Sequence, residues 1–237
     1  MNTRLIRQMA APLLLLVCLK VSAGYELQDR VQGVRSNSFL IVSSILLSYD
    51  PFARTFDHGK RDDYLTRLAT MAVIMDDPDL VLLKVDFDHF STAIRDLDTR
   101  SAEVPLGVIN VILDSQANLV ARASTLYSTQ PSERTKSRLH ALSLASARML
   151  ILYQMRPYGG LVMYPGILLD EQQILALDAH IMAGLDAEAL AGIDSIRRHY
   201  LFVRPRLFDV DKDFTAYGVN YYLGQNIVRL DALAGAL

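Results

Sequence analysis

The chain has no tryptophan and a single cysteine among its 237 residues. One cysteine cannot build an intramolecular disulfide framework or a metal site made of several thiolates. Basic residues are not in excess: 24 Lys and Arg stand against 26 Asp and Glu. That balance argues against a dedicated nucleic-acid binder, which shows a basic surplus. Long apolar runs are also missing. The one near the N-terminus is about 11 residues, short of the roughly 20 that cross a bilayer. No HExxH, Gly-x-Ser-x-Gly, Ser-x-x-Lys or phosphate-cradling glycine loop occurs, so no common catalytic or metal signature is present.

Hydrophobic residues make up 51% of the chain, enough for a packed core in one domain or two small ones. The first 23 residues read as an export signal. Arg4 and Arg7 form a positive start, Met9 to Leu19 an apolar stretch, and Val21-Ser22-Ala23 a small-residue cleavage site before Gly24. Leu16-Val17 lacks the small residue expected beside a lipidated cysteine, which favours cleavage after Ala23 over lipidation of Cys18. The mature chain would then have no cysteine, and 21 basic against 26 acidic residues, a charge of −5. It also has no Asn-x-Ser/Thr sequon. The expectation is a bacterial exported protein, periplasmic or secreted, with no stable membrane insertion after cleavage and no nucleic-acid partner.

The mature chain predicts an all-α helical bundle of about eight helices, over 26–48, 60–75, 79–98, 105–128, 132–155, 170–184, 186–204 and 213–235. Asp77-Pro78 signals a helix start, Asp170 to Gln173 resembles a capping box, and Asp186 is placed to cap the seventh helix. His58-Gly59, Gly184 and the cluster Pro157 to Gly166 read as stops. Stepping by three and four, Leu106, Ile109, Leu113, Gln116, Val120, Ala123 and Tyr127 form a seam, and Phe214, Tyr217, Tyr221, Gly224, Val228, Asp231 and Gly235 a weaker one. The apolar run 80–87 has a strand alternative, set aside because no partner strand with turn chemistry lies nearby.

The eight segments divide into residues 24–128 and 132–237, joined by a linker at 129–131. Each half opens with an apolar helix rich in small residues: Ser36, Ser38, Ser43 and Ser44 in one, Ser143, Ala145, Ser146 and Ala147 in the other. Each such helix precedes a proline and an aromatic, Pro51-Phe52 and Pro157-Tyr158. These matches read as an internal duplication of a four-helix unit. The expected architecture resembles all-helical extracytoplasmic sensing modules, a likeness of fold class alone.

Asp209-Val-Asp211-Lys-Asp213 has the opening spacing of a calcium loop, but Phe214 and Asn220 stand where glycine and glutamate are required. The candidate site is instead the loop from Arg156 to Gly166 with the basic seventh helix. Tyr158, Met163 and Tyr164 would supply apolar contact, with a fold-back of the loop into the core as the alternative. Arg197 and Arg204, seven apart on one helix face, would select an anionic group. The functional expectation is a soluble exported binding protein, sensor-like or immunity- and inhibitor-like. It would take a small ligand or an exported protein partner, with no metal or cofactor. The alternative is a helical periplasmic enzyme that brings His140, His180 or His199 beside a carboxylate such as Asp178 or Asp194.

Overall fold

The computed structural model describes residues 3–100, 104–131, 133–166, 171–188, 190–209 and 216–237, with side chains from Glu26 onward. Among the described residues there are eight α-helices: α1 Thr3–Ser48, α2 Arg61–Met75, α3 Lys84–Thr99, α4 Leu106–Ser128, α5 Arg134–Met155, α6 Glu171–Ala187, α7 Ile193–Phe208 and α8 Ala216–Gly235. The all-α helical bundle is the observed fold. The expected export segment, residues 1–23 with Cys18 and the Ala23 cleavage site, lies outside the described side chains. The cap at Asp170 and most of the Asp209–Asp213 stretch lie outside the described residues as well. No helix among the described residues is long and apolar enough to cross a membrane.

Local chemistry accounts for several helix starts. The Asp77 carboxylate accepts from the Asp79 amide at 2.8 Å, and Pro78 occupies the first helical position. The run 80–87 is not a strand: a 3-10 turn at Pro78–Leu83 leads into α3. Helical spacing explains why Leu80, Leu83 and Phe87 are buried while Val81, Leu82 and Val85 remain exposed. Glu133 begins α5 by accepting from the Lys136 amide at 2.6 Å.

Four expectations need correction. His58-Gly59 opens a helix: Asp57 accepts from the Gly59 amide at 2.9 Å and starts a 3-10 turn that runs into α2. Gly184 does not stop α6, which continues to Ala187; a Cβ there would strike the Leu142 side chain, so this glycine lets α5 and α6 approach closely. Asp186 lies inside α6 and caps nothing; α7 begins later, after Gly192, whose φ of +95° suits glycine. The seam expected on α8 faces outward at Tyr217, Tyr221 and Val228. The buried stripe is Ala216, Val219, Leu223, Ile227, Leu230 and Ala234, one position off the expected one. Between α1 and α2 the chain also forms a small antiparallel pair, β1 (Tyr49–Asp50) and β2 (Thr55–Phe56), with Tyr49 opposite Phe56.

The two sets of four helices share a packing order. In each, the first helix packs on the second and fourth, and the third packs on the fourth. The sets meet where α1 packs against α5 and α8. One hydrophobic core runs through both, with Phe39, Ile41 and Ile45 of α1 buried together with Leu150, Ile151 and Leu152 of α5. Residues 129–131 therefore connect two stretches of chain that share one core. Each large apolar side chain in it contributes roughly 1.5–3 kcal/mol by leaving water. The small residues permit close approach. Ser36 and Ser48 donate to carbonyls four residues back, whereas Ser43 reaches Asn220 at 2.7 Å and Ser44 donates to Asp63.

Candidate ligand-binding site

The loop after α5 folds into the bundle. Tyr158 is 1% exposed, donates to the Leu46 carbonyl at 2.8 Å, and stacks on Tyr49 at 6.0 Å between ring centroids. Tyr164 is also buried, stacks on Phe39 and donates to the Gln116 side chain. Gln116, the polar member of the α4 seam, in turn donates to Ser38 at 2.9 Å. Burial pushes both phenols well above their ordinary pKa, so their hydroxyls stay protonated as donors. Met163 alone of the expected contact residues is freely exposed, at 72%. The exposed recognition surface expected of Tyr158 and Tyr164 is corrected to a lid on the core, because each ring finds an aromatic face and each hydroxyl an internal acceptor.

The expected arginines are engaged elsewhere. Arg204 forms a two-pronged ion pair with Asp178 of α6, both contacts at 2.7 Å, and Tyr200 donates to the same carboxylate at 2.9 Å. Burial raises the Asp178 pKa, but the hydrogen bonds from Arg204 and Tyr200 outweigh it and hold the carboxyl below its usual range. Arg197 pairs with Asp186 at 2.9 Å. Tyr164 and Tyr158 each border a concavity, and neither concavity is lined by Arg197 or Arg204. The loop meets α7 through Arg156, which donates to the Leu207 carbonyl.

A groove of about 560 Å³ has walls on α4 and α6 and a floor on α1 and α5. On α4, Ala117, Ala121 and Ser124 recur at helical spacing and leave the space that larger side chains would fill. Phe39, Val120, Leu152 and Leu177 make it largely apolar, and Tyr164-Pro165-Gly166 closes one end. A second cavity of about 330 Å³ shares Arg148 and Leu177 with the first, and is otherwise lined by Arg35, Tyr127, Ser137, His140, His180 and three apolar residues of α5. Both volumes together fall in the range of small-molecule sites, which are apolar with a few convergent polar groups. Among the described residues, no Asp or Glu lines either cavity.

Arg35 is the unusual group here. It is 7% exposed and forms no ion pair among the described residues. Its guanidinium donates to Gln32 at 3.1 Å and lies 4.6 Å from the Tyr127 ring centroid. Gln32 donates onward to the partly buried Asp231 at 3.0 Å, so this acid is reached through a neutral amide. Burial lowers the Arg35 pKa to about 10; Arg148 adds to that, while Tyr127 and Asp231 oppose it. It remains cationic at neutral pH. Arg148, exposed on α5, likewise has no hydrogen bond or ion pair among the described residues.

His140 shares a hydrogen bond with the Tyr127 hydroxyl at 2.9 Å and lies 3.5 Å from Asp29, which also pairs with Lys136 at 2.8 Å. Burial is the main cause that pushes its pKa down to about 4, so the ring is neutral at pH 7. A carboxylate–histidine contact thus exists, but its ring is 2% exposed and packed as core. The partner is Asp29 rather than Asp178 or Asp194. Among the described residues His180 and His199 lie within ion-pair distance of no carboxylate. No cluster of metal-ligating side chains occurs among the described residues.

Arg35 and Arg148 escaped the sequence reading, yet a signal was present. From Val31 to Tyr49 the only charged residue is Arg35, and from Leu139 to Met155 the only Lys, Arg, Asp or Glu is Arg148. A lone arginine in an apolar helix must find an internal partner, a cavity or water. No family model, curated protein or solved structure matches the chain, so its function is argued from this geometry.

Proposed function

We propose that the protein is an exported helical binding module whose small-ligand site is the groove between α4 and α6. The observation that carries this reading is the pair of cavities, about 560 and 330 Å³, sharing Arg148 and Leu177. The apolar wall would bury the body of a ligand, and the polar end would orient it. The two halves, with their common packing order, are read as a duplicated four-helix unit whose seam forms the floor of the site. Export is supported by Arg4, Arg7, the apolar run and Val21-Ser22-Ala23, which point to a mature chain beginning at Gly24 in the periplasm or medium.

A protein partner is the second reading, favoured by the aromatic face of α7 and α8. Phe202, Tyr217 and Tyr221 are exposed there, and Phe202 and Tyr221 each pack on Tyr222 with centroids about 5 Å apart. Mass spectrometry of protein recovered from the periplasmic fraction separates these readings. The denatured mass should begin at Gly24, and the native mass should carry a small ligand that the Ala121→Trp variant lacks. An intact Met1 would overturn export. A bound protein unaffected by Ala121→Trp but lost in Phe202→Ser would replace the groove with the aromatic face.

A further inference from the structure

We infer that the groove takes an anionic amphiphile, its acidic head held by Arg148 and Arg35 and its apolar body laid between α4 and α6. This rests on the groove being the ligand site and adds the chemical class of the ligand. Transferring a cation into a protein interior is costly unless an anion compensates it. Arg35 is buried and cationic, its one side-chain acceptor among the described residues is the amide of Gln32, and Asp231, the acid that acts on it electrostatically, is already bonded to that amide. Arg148 lines the same cavity and repels Arg35, yet no Asp or Glu among the described residues lines it. Two like charges converging on a cavity without an acid among its described lining residues leave an unmatched positive field, and a carboxylate accepts forked guanidinium bonds.

The surrounding charges do not cancel that field. Lys136 on α5 and Asp29 on α1 satisfy each other at 2.8 Å, and His140 is neutral. Asp231 on α8 acts on Arg35 from beyond hydrogen-bond distance, and its carboxylate is already engaged by the Gln32 amide at 3.0 Å. Among its described lining residues the adjoining groove has no acid, and apart from Arg148 they are small or apolar with a few polar groups such as Ser124 and Gln173. A fully polar anion such as inorganic phosphate would leave it unfilled, and a neutral hydrocarbon would leave the arginines unmatched. A ligand that joins an apolar body to an acidic head meets both ends.

Calorimetric titration of the full protein with decanoate, decan-1-ol and decyltrimethylammonium at neutral pH tests this. Decanoate should bind one to one, roughly tenfold to a hundredfold tighter than decan-1-ol, the range a charge-assisted bond supplies, and the cation should not bind. Arg148 is exposed, so Arg148→Met should keep the helical circular dichroism while reducing decanoate to the affinity of the alcohol; Arg148→Lys should recover part of the difference. Ala121→Trp, filling the apolar wall, should abolish binding of both. Equal binding of acid and alcohol, blocked by Ala121→Trp, would overturn the charge selection and leave the groove as the ligand site. Decanoate binding that ignores Arg148→Met would also overturn it. If neither compound binds, the amphiphile class is wrong, and the ligand carried in the native mass experiment decides the groove separately.

Discussion

Two seams of this bundle hold arginines under opposite conditions. At the α6–α7 seam, Arg197 and Arg204 are half exposed and each is matched to an acid of α6, Asp186 and Asp178. At the α1–α5 seam, Arg35 and Arg148 border a cavity and neither has an ion pair among the described residues. The first pair is clustered in sequence with other basic residues, and the acids of the neighbouring helix neutralise it. The second pair is isolated in two apolar helices, where few acids are within reach. A cluster of charge is therefore a poor guide to an open site in this chain. An isolated charge on a helix that must be buried is a better one.

The largest effect should come from acid at the α1–α5 seam. His140 has a folded pKa depressed to about 4, against an ordinary value of 6.5. The unfolded chain therefore takes up a proton that the folded one refuses. Its stabilising contribution is complete above about pH 6.5 and is lost as pH falls toward 4, a total of about 3 kcal/mol. Urea midpoints should drop between pH 7 and pH 5 in the wild type and change much less in His140→Gln. An equal slope in both would place the acid sensitivity elsewhere.

Next in size is the α6–α7 seam. Arg204→Met leaves the buried Asp178 carboxylate with only the Tyr200 hydroxyl. Breaking such a pair should cost about 2 kcal/mol, less than for a fully buried pair because Arg204 is partly solvated. Chemical denaturation should show this loss, and decanoate titration should show no change in affinity. A stability-neutral variant that loses the ligand would reverse the roles assigned to the two seams.

The smallest effect on stability should come from Arg148→Met, which removes an exposed charge that has no ion pair among the described residues. Its unfolding free energy should stay within about 0.5 kcal/mol of the wild type, or rise as its repulsion of Arg35 is relieved. A loss like that of Arg204→Met would mean that Arg148 is structural.

The legible parts of the fold were those set by near neighbours in the chain. The α4 seam from Leu106 to Tyr127 faces inward as its spacing requires, with its two end members half buried. Asp77-Pro78 starts its helical turn because capping needs only the next few amides. The α8 seam went wrong because Tyr217, Tyr221 and Val228 are as apolar as the stripe beside them. Both faces of that helix fit a helical period, and only packing on α1, α5 and α7 selects Val219, Leu223 and Ile227. The candidate site was the least legible part. Tyr158 and Tyr164 have the composition of a binding loop, but the carbonyl of Leu46 and the amide of Gln116 that capture them are 112 and 48 residues away.

Sequence alone determined that the chain is helical, where most helices begin, and that thiol chemistry has almost no place in it. Periodicity and capping act over a few residues and can be read from order alone. The tertiary structure decided which aromatics are buried, which arginines are matched and where space is left. These depend on helices α1, α4, α5 and α6 meeting across more than a hundred residues of chain, and a matched or unmatched charge is a property of that meeting.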